Sequence, residues 1–366
     1  MKDLGKKKLL IIAGAIVGVV ILIIIILLLV HSLTAKKGSF KDAENKMLSA
    51  AKSYYKDNET LLPKNNGGKV TIDATSLAAA GYMKDINSLV SGSDGVSCSG
   101  QVIVTYNNER YRYTPLLDCG EKYSSKTLVS YIQSNEEKVY TGQGLYDMNG
   151  ELVYRGENPN NYIEVSGKVF RIVKISDGSA VLIYNEKPSK SVWDDRFNTD
   201  RNRNEGINDY SVSRIKESLN KLYDDGKIIS ESDKSLLEMH TLYTGKRGEN
   251  DSFNDGSIEK SGILEYQYIG LLPLYDYINA SIDTNCMSAS TRSCGNYNYL
   301  NHYDYNWWTL TGNSVNSYQV YRVDSAGEID VLKSSTNGYI RPVIHLVGDA
   351  IYVSGDGSQE NPYTIK

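Results

Sequence analysis

The stretch "NHYDYNWWTLTG", residues 301–312, decides how the second half of the chain is interpreted. It places Trp307 and Trp308 side by side, in a chain with only three tryptophans, shortly after Tyr303 and Tyr305. Two interpretations are open. The aromatic side chains could form a platform that binds a ligand, or they could belong to the core of a domain.

Charge and length set the outer limits. At 366 residues the chain has room for about two domains. Its formal net charge of −4 provides no basic field, so no nucleic-acid partner is predicted.

An unbroken apolar run covers residues 9–30, after a basic segment at residues 1–8. A helix of this length crosses the roughly 30 Å hydrocarbon core of a membrane, and it exceeds the apolar part of a cleavable signal peptide. The run therefore predicts a single transmembrane signal-anchor helix with a cytoplasmic N-terminus. Within it, Gly14 and Gly18 form a GxxxG pair that would suit homo-oligomers.

The four cysteines all follow this run. Four cysteines allow three pairings, and their positions favour two local disulfides, Cys98–Cys119 and Cys286–Cys294. Zinc is the competing interpretation, but the sequence has no CxxC or HxxxH spacing. Two disulfides predict an oxidising compartment, so the domains after the apolar run are expected to be extracellular.

Residues 36–123 are predicted to form a small module of helix and strands. Apolar residues recur at helical spacing from Phe40 onward and predict an amphipathic helix that ends near Asn58. The stretches "CSGQVIVTY" and "RYRYTPLLDCG" alternate as two strands of a hairpin, with its turn at Asn107 and Asn108.

The order of apolar run, "SAAKSYYKDN", "LP", "LAAAGYMKDI" and cysteine-closed hairpin resembles the pilin-like membrane proteins of Gram-positive bacteria. That resemblance implies a pilin-like extracellular module on the bacterial plasma membrane. A prepilin also carries a Gly-Phe peptidase site and a glutamate early in the apolar helix. Here Lys8 is followed directly by Leu9 and the run has no acidic residue, so an anchoring module is predicted instead of a processed pilin.

A polar segment at 124–145 predicts a linker, and residues 146–366 are assigned to a second domain. Several short alternating stretches predict strands. The stretch 230–233 resembles a capping box and predicts a short helix that extends through Leu236 to His240.

Four segments of the second domain carry a further resemblance: "YIGLLPLYDYI", "NWWTLTG", "YRVDSAGEIDV" and "GYIRPVIHLVGDAIYVSGDGSQENPYTI". In this order they look like an uncharacterised extracellular domain related in pattern to the C-type-lectin-like fold of formylglycine-generating enzymes. The resemblance covers about residues 140–366. It implies a mixed α+β domain with two small sheets and two helices. The fold class predicted for the whole chain is therefore α+β: a transmembrane helix, a pilin-like module and a C-type-lectin-like domain.

Within that fold, "NWWTLT" would be a strand, and alternation would point Trp307 and Trp308 to opposite faces of the sheet. At least one of them is then expected in the core. Arg341 and Pro342 are predicted to be structural, since a guanidinium has five donors with which to bind loop carbonyls.

Neither a metal, a cofactor nor an enzyme activity is predicted. Asp200, Asn202 and Asn204 alternate as calcium ligands would, but Glu205 stands where a glycine is expected and Ser211 where a closing glutamate is expected. The chain has no GxSxG, HExxH, phosphate-binding or dinucleotide-binding motif.

The remaining titratable candidates carry no readable chemistry. His240, His302 and His345 have no recognisable partners in the sequence. Formylglycine-generating enzymes depend on a closely spaced cysteine pair, whereas Cys286 and Cys294 are expected to close a loop.

The chain has 29 tyrosines against four phenylalanines, and tyrosine suits both recognition surfaces and extracellular strands. In the C-type-lectin-like fold the long loops before the last strands carry ligands. The predicted ligand-binding residues are therefore Tyr297, Tyr299, Tyr303, Tyr305, Trp307, Trp308, Asn316 and Arg322. The alternative, that these tyrosines are the solvent-facing side of a strand-rich domain, stays open.

The sequence thus predicts a membrane-anchored bacterial surface protein with a non-catalytic recognition or adhesion domain, which binds a glycan or a protein. One alternative is a structural, pseudopilin-like subunit of an envelope assembly. Another is an envelope enzyme, which free thiols at Cys286 and Cys294 would favour.

Overall fold

Short helices and many strands are mixed along the described part of the chain. The computed structural model describes residues 39–366 apart from 91–96, 187–188, 249, 253–254, 263, 287–290 and 302–303. No helix within these residues is long and apolar enough to cross a membrane. The predicted fold class, with its transmembrane helix, is therefore wrong for the chain as described. The apolar run at 9–30 and its Gly14/Gly18 pair lie outside the described residues.

The longest described helix cannot cross a membrane because only one of its faces is apolar. Helix α1 (Phe40–Asp57) is amphipathic: it buries one face of alanine, methionine and tyrosine and turns charged residues to solvent. It begins at Ser39, whose hydroxyl accepts a hydrogen bond from the Asp42 N–H, while the Asp42 carboxylate accepts one from the Ser39 N–H. Its end at Asn58 confirms the predicted end of the amphipathic helix.

The apolar face of α1 packs on a three-stranded antiparallel sheet. The predicted hairpin forms its second and third strands, but the turn lies at Asn108 and Glu109, both with positive φ, one residue later than predicted. The elements of this first module are β1 (Lys69–Asp73), α2 (Ala74–Ala79), α3 (Ile86–Leu89), β2 (Ser99–Asn107) and β3 (Arg110–Asp118).

Both predicted disulfides are present. Cys98–Cys119 joins the two ends of the β2–β3 hairpin, and Cys286–Cys294 closes a loop in the second domain. All four cysteines are therefore bonded.

The predicted linker at 124–145 contains helix α4 (Leu128–Asn135), which is part of the second domain. Leu128, Val129 and Ile132 lie in the main apolar core, and Thr127 pairs with Ile351 near the C-terminus. A 3-10 turn at Lys234–Leu236 replaces the helix predicted through His240.

In the described chain, a central sheet has nine strands and a second sheet has five. The strands are β4 (Gly144–Met148), β5 (Glu151–Arg155), β6 (Tyr162–Val165), β7 (Lys168–Ser176), β8 (Ser179–Tyr184), β9 (Ser189–Val192), β10 (His240–Tyr243), β11 (Leu264–Gln267), β12 (Ile269–Gly270), β13 (Trp307–Gly312), β14 (Gln319–Val323), β15 (Ile329–Lys333), β16 (Asn337–Ile340), β17 (Val343–His345), β18 (Tyr352–Ser354) and β19 (Tyr363–Ile365). The order in the central sheet is β12-β17-β8-β7-β6-β19-β18, with β5 also paired to β7 and β4 to β5. The order in the second sheet is β15-β14-β13-β16-β9, and β10 pairs with β11. The remaining helices are α5 (Arg214–Asp224), α6 (Ser257–Lys260) and α7 (Leu274–Ala280).

A buried ion pair joins the first module to the second domain. Arg112 on β3 lies 3.1 Å from the Asp349 carboxylate, and each side chain is only 8% exposed. Arg112 also donates to the main-chain oxygen of Asp349, and the hydroxyls of Thr105 and Thr114 donate to its carboxylate. Because the charges are buried, each depends on the other for its solvation.

We therefore expect Asp349→Ala to lower the free energy of unfolding by about 3–5 kcal/mol, since it leaves the Arg112 charge buried without a partner. Chemical denaturation of the full chain measures this loss. The matched control is Arg110→Ala, which breaks the exposed pair between Arg110 and Glu231 at the same interface and should change stability far less. Equal losses from the two variants would contradict the account.

Candidate functional site

The two tryptophans of the opening stretch are core residues. Trp307 and Trp308 begin β13, and both side chains are fully buried. The Trp308 Nε1–H donates to the main-chain oxygen of Ser191 at 3.2 Å. This hydrogen bond links β13 to β9, with β16 between them in the second sheet. Neither ring belongs to an exposed aromatic platform.

The other predicted ligand-binding residues lie in different settings. Tyr297 is 57% exposed, whereas Tyr299 is buried with its ring 4.7 Å from the Arg171 guanidinium. Tyr305 is half-buried against Tyr339. Tyr303 lies outside the described residues.

The last two predicted residues, Arg322 and Asn316, form hydrogen bonds with other residues of the protein. Arg322 on β14 forms a two-bond ion pair with Asp330, at 2.7 and 2.8 Å. Asn316 is half-buried, and its main-chain oxygen accepts from the Asn208 amide. Tyr297 is thus the one predicted binding residue that is mainly exposed among those described.

Arg341 occupies a structural position. It is fully buried, its Nη1 donates to the main-chain oxygen of Leu300 at 2.7 Å, and its guanidinium lies over the Trp307 ring. Burial lowers its pKa to about 10. The main-chain oxygen of Pro342 accepts from the N–H of Tyr184, which joins this segment to β8.

A concave site lies elsewhere, on one face of the central sheet. His345 on β17 is opposite Val181 on β8, and Val181 is opposite Lys174 on β7. Residues directly opposite in neighbouring strands project from the same face, so these three side chains form a row. Strand β10 and helix α7 cover this row and leave a cavity of about 310 Å³, which we call the central cleft.

An ion pair shared by three residues forms one end of the central cleft. Lys174 Nζ lies 3.0 Å from the Asp276 carboxylate on α7 and 3.4 Å from the Glu151 carboxylate on β5. Burial acts to lower the pKa of Lys174, but the two carboxylates outweigh it and raise the pKa above its ordinary value. The lysine is therefore an ammonium ion, which is a poor nucleophile.

Two stacked histidines form the other end. The ring centroids of His240 and His345 are 3.6 Å apart and the rings are nearly parallel. The main-chain N–H of Glu238 donates to the main-chain oxygen of His345, which holds the start of β10 over β17. His240 is 7% exposed, and neither of its ring nitrogens has a hydrogen-bond partner.

Both imidazoles are neutral near pH 7. Burial lowers the pKa of His240 to about 4. Burial also holds the pKa of His345 well below its ordinary value, with further lowering from His240 and from the charge of Lys174. A neutral imidazole has one donor nitrogen and one acceptor nitrogen.

The histidine pair is not a metal site. The lone pairs of each imidazole lie in its ring plane, and two nearly parallel, stacked planes do not converge on one ion at the roughly 2 Å of a metal–nitrogen bond. Among the described residues, no group of three or more His, Cys, Asp or Glu could hold a metal ion.

Hydroxyls and apolar side chains complete the lining. Ser176 donates to Glu151 at 2.7 Å, and Ser179 donates to Glu238. In the far wall, Glu259 accepts two hydrogen bonds from the buried Arg247. The apolar lining includes Val181, Leu242, Leu271, Leu310 and Val343.

This site was not predicted from the sequence, although two residues pointed to it. Lys174 interrupts the apolar strand "FRIVKIS" and His345 ends the apolar run "PVIH". A charged or polar residue within a strand buried on both faces needs a partner. The sequence does not reveal which partner, because the contacting residues are far apart in the chain.

The chain has no detectable relative among known proteins. No protein-family model, no curated protein and no solved structure matches the chain. The pilin-like and C-type-lectin-like resemblances therefore stay predictions, and the assignment of the central cleft depends on its own residues.

The two histidines predict a specific dependence of stability on pH. Their pKa values are lowered on folding, so between about pH 6.5 and pH 4 the unfolded chain binds more protons than the folded one. The free energy of unfolding should therefore fall as the pH falls through this window. The slope from each histidine reaches about 1.4 kcal/mol per pH unit.

Urea denaturation of the full chain between pH 7 and pH 5 measures this slope. His240→Leu should make it shallower by about half and leave the protein at least as stable at pH 7, since it removes two buried polar atoms without partners. Tyr140→Ala, at an 88% exposed position, is the control and should retain the wild-type slope. Identical slopes in all three proteins would refute the prediction.

Proposed function

We propose that this chain is a non-catalytic recognition protein that acts outside the cytoplasm and binds its ligand in the central cleft. One observation carries the proposal. The central cleft is a cavity of about 310 Å³ in which the buried cluster of Lys174, Glu151 and Asp276 lies beside apolar side chains. A concave, partly apolar pocket with a few converging charged groups is typical of a ligand site.

The shape of the site supports a ligand of small-molecule size. Ligand pockets are concave, mainly apolar and contain a few fixed polar groups. The central cleft has this composition, and its polar groups lie on regular elements: Lys174 on β7, His345 on β17 and Asp276 on α7. Groups held by strands and helices keep their positions when the site is empty, which reduces the cost of binding.

The chemistry of the described residues supports binding without turnover. Nucleophilic catalysis needs a hydroxyl or thiol hydrogen-bonded to a base. In the described part of the chain, Ser176 and Ser179 donate to carboxylates, and no hydroxyl donates to His240 or His345. All four cysteines are in disulfides, so a reactive thiol is not available for the envelope-enzyme alternative.

The disulfides also support the proposed location. Disulfide bonds persist in oxidising environments and are rare in the cytoplasm. Two of them, each closing a local loop, suit a protein that functions outside the cytoplasm.

A ligand screen tests this proposal. Saturation-transfer NMR on the full-length protein, with a fragment library that spans neutral, cationic and anionic compounds, should find binders whose signals weaken in two cleft variants. His240→Leu replaces a polar ring of the lining with an apolar side chain, and Val181→Phe fills the cavity. Tyr140→Ala is the control and should bind as the wild type does.

Two results would overturn the proposal. Binders that are unaffected by either cleft variant would place the binding site elsewhere, and Tyr297→Ala would then test the exposed tyrosine predicted from the sequence. Chemical conversion of a binder during the NMR measurement, lost in His240→Leu, would identify an enzyme.

A further inference from the structure

We infer that the ligand of the central cleft is a small organic cation that carries an ammonium group on an apolar body. This inference rests on the proposed binding function and names the chemical class of the ligand. The cavity and its apolar lining define the site, and the carboxylates around it decide the charge of what binds there.

Carboxylates outnumber cationic side chains in the lining of the cleft. The carboxylates are five and the lysines two: Glu151, Asp177, Glu238, Glu259 and Asp276 against Lys174 and Lys260. The charge of the ligand therefore depends on which of these carboxylates the protein itself already compensates.

Three of the five carboxylates have a cationic partner within the protein. Glu151 and Asp276 share the ammonium group of Lys174, and Glu259 accepts two hydrogen bonds from the guanidinium of Arg247. The charges of Lys174 and Arg247 are thus fully used by these partners. Neither cation is left to attract an anionic ligand.

The other two carboxylates, Asp177 and Glu238, lie at the rim of the cleft beside the turn between β7 and β8. Asp177 belongs to this turn, and Glu238 accepts a hydrogen bond from Ser179, the first residue of β8. Both carboxylates are exposed, and within the described part of the chain neither forms an ion pair. Lys260 is also exposed and can compensate only one of them. An ammonium group at this rim therefore meets a carboxylate that lacks a cationic partner.

The interior of the cleft suits an apolar body. Val181, Leu271, Leu310 and Val343 are buried residues that line it, and Tyr275 lines it as well. A ligand with its carbon skeleton here and its ammonium group at the rim removes apolar surface from water, while the charge keeps part of its hydration. A cavity of about 310 Å³ is at the lower end of the sizes of ligand pockets, which limits the body to about one ring.

The same lining disfavours the other classes of ligand. An anion would approach carboxylates without a partner and find Lys174 already paired. A neutral ligand would displace water from Asp177 or Glu238 without supplying an opposite charge. A metal ion needs several converging ligands, and the described residues contain no group of three or more His, Cys, Asp or Glu that could hold one.

Three matched probes test the charge of the ligand. Isothermal titration calorimetry of the full-length protein at about pH 7 would compare 2-phenylethylamine, 2-phenylethanol and 3-phenylpropanoate, which carry a cation, a hydroxyl and an anion on the same phenylethyl body. The amine should bind roughly threefold to tenfold more tightly than the alcohol, since each exposed ion pair contributes only a small factor. The anion should bind most weakly. Salt should reduce the preference for the amine, because it screens exposed charges.

Variants at the rim locate the ammonium group. Glu238→Gln and Asp177→Asn each remove one exposed charge, and asparagine tolerates the positive φ of position 177. Each variant should weaken the amine about twofold to fivefold and leave the affinity of the alcohol unchanged. The double variant should abolish the preference. The matched control is Glu360→Gln, which removes an exposed carboxylate outside the cleft and should change no affinity.

A fourth probe distinguishes two sources of the same chemistry. Nα-acetyl-lysine methylamide carries an ammonium group on the apolar chain of a peptide residue. Tighter binding of this probe than of 2-phenylethylamine would identify a lysine of a peptide as the ligand, and weaker binding would identify a free amine. Either result supports the cation.

The outcomes separate this inference from the proposed function. If the alcohol or the anion binds as tightly as the amine, or if the rim variants do not weaken the amine, the inference is wrong. If none of the probes binds, the fragments that Val181→Phe excludes from the cleft decide. Mainly cationic fragments would support the inference, whereas mainly neutral or anionic ones would reject the cation and retain the cleft as a ligand site. Absence of any fragment from the cleft would reject the proposed function itself.

Discussion

The central cleft depends on one interaction, the ion pairs that the buried ammonium group of Lys174 forms with two carboxylates. A buried charge is tolerated only with partners, and here the partners come from two other elements, Glu151 on β5 and Asp276 on α7. The ion pair therefore holds α7 over the central sheet at a fixed position. The charge of Lys174 also prevents α7 from packing on the sheet through apolar side chains alone, because the ammonium group would then have no partner.

The same requirement organises contacts far from the cleft. Arg112 and Asp349 pair across the junction between the first module and the second domain, and Arg341 packs under Trp307 with carbonyl oxygens as its acceptors. Each buried cation thus joins segments that are distant in sequence. These contacts are directional, whereas apolar packing alone is not, so they fix the positions of the segments that they join.

The histidine stack differs from these pairs because both of its side chains are neutral near pH 7. His240 and His345 contact each other through their ring faces, and the nitrogens of His240 remain free of partners. An apolar residue at the position of His240 is therefore expected to stabilise the folded state, because it would remove two buried polar atoms without partners.

The sequence by itself determined the features that depend on local spacing: helix α1 and its end at Asn58, the β2–β3 hairpin and the two local disulfides. Only the tertiary structure decided the rest. Residues 124–145 looked like a linker, yet their helix enters the main core, and the predicted tyrosine surface was divided between core and solvent. The central cleft unites residues from Glu151 to His345 through the register of β7, β8 and β17. Strands β7 and β8 are consecutive, so the turn between them helps to set their register. The pairing of β8 with β17 joins segments that are far apart in the chain, and no local pattern predicts it.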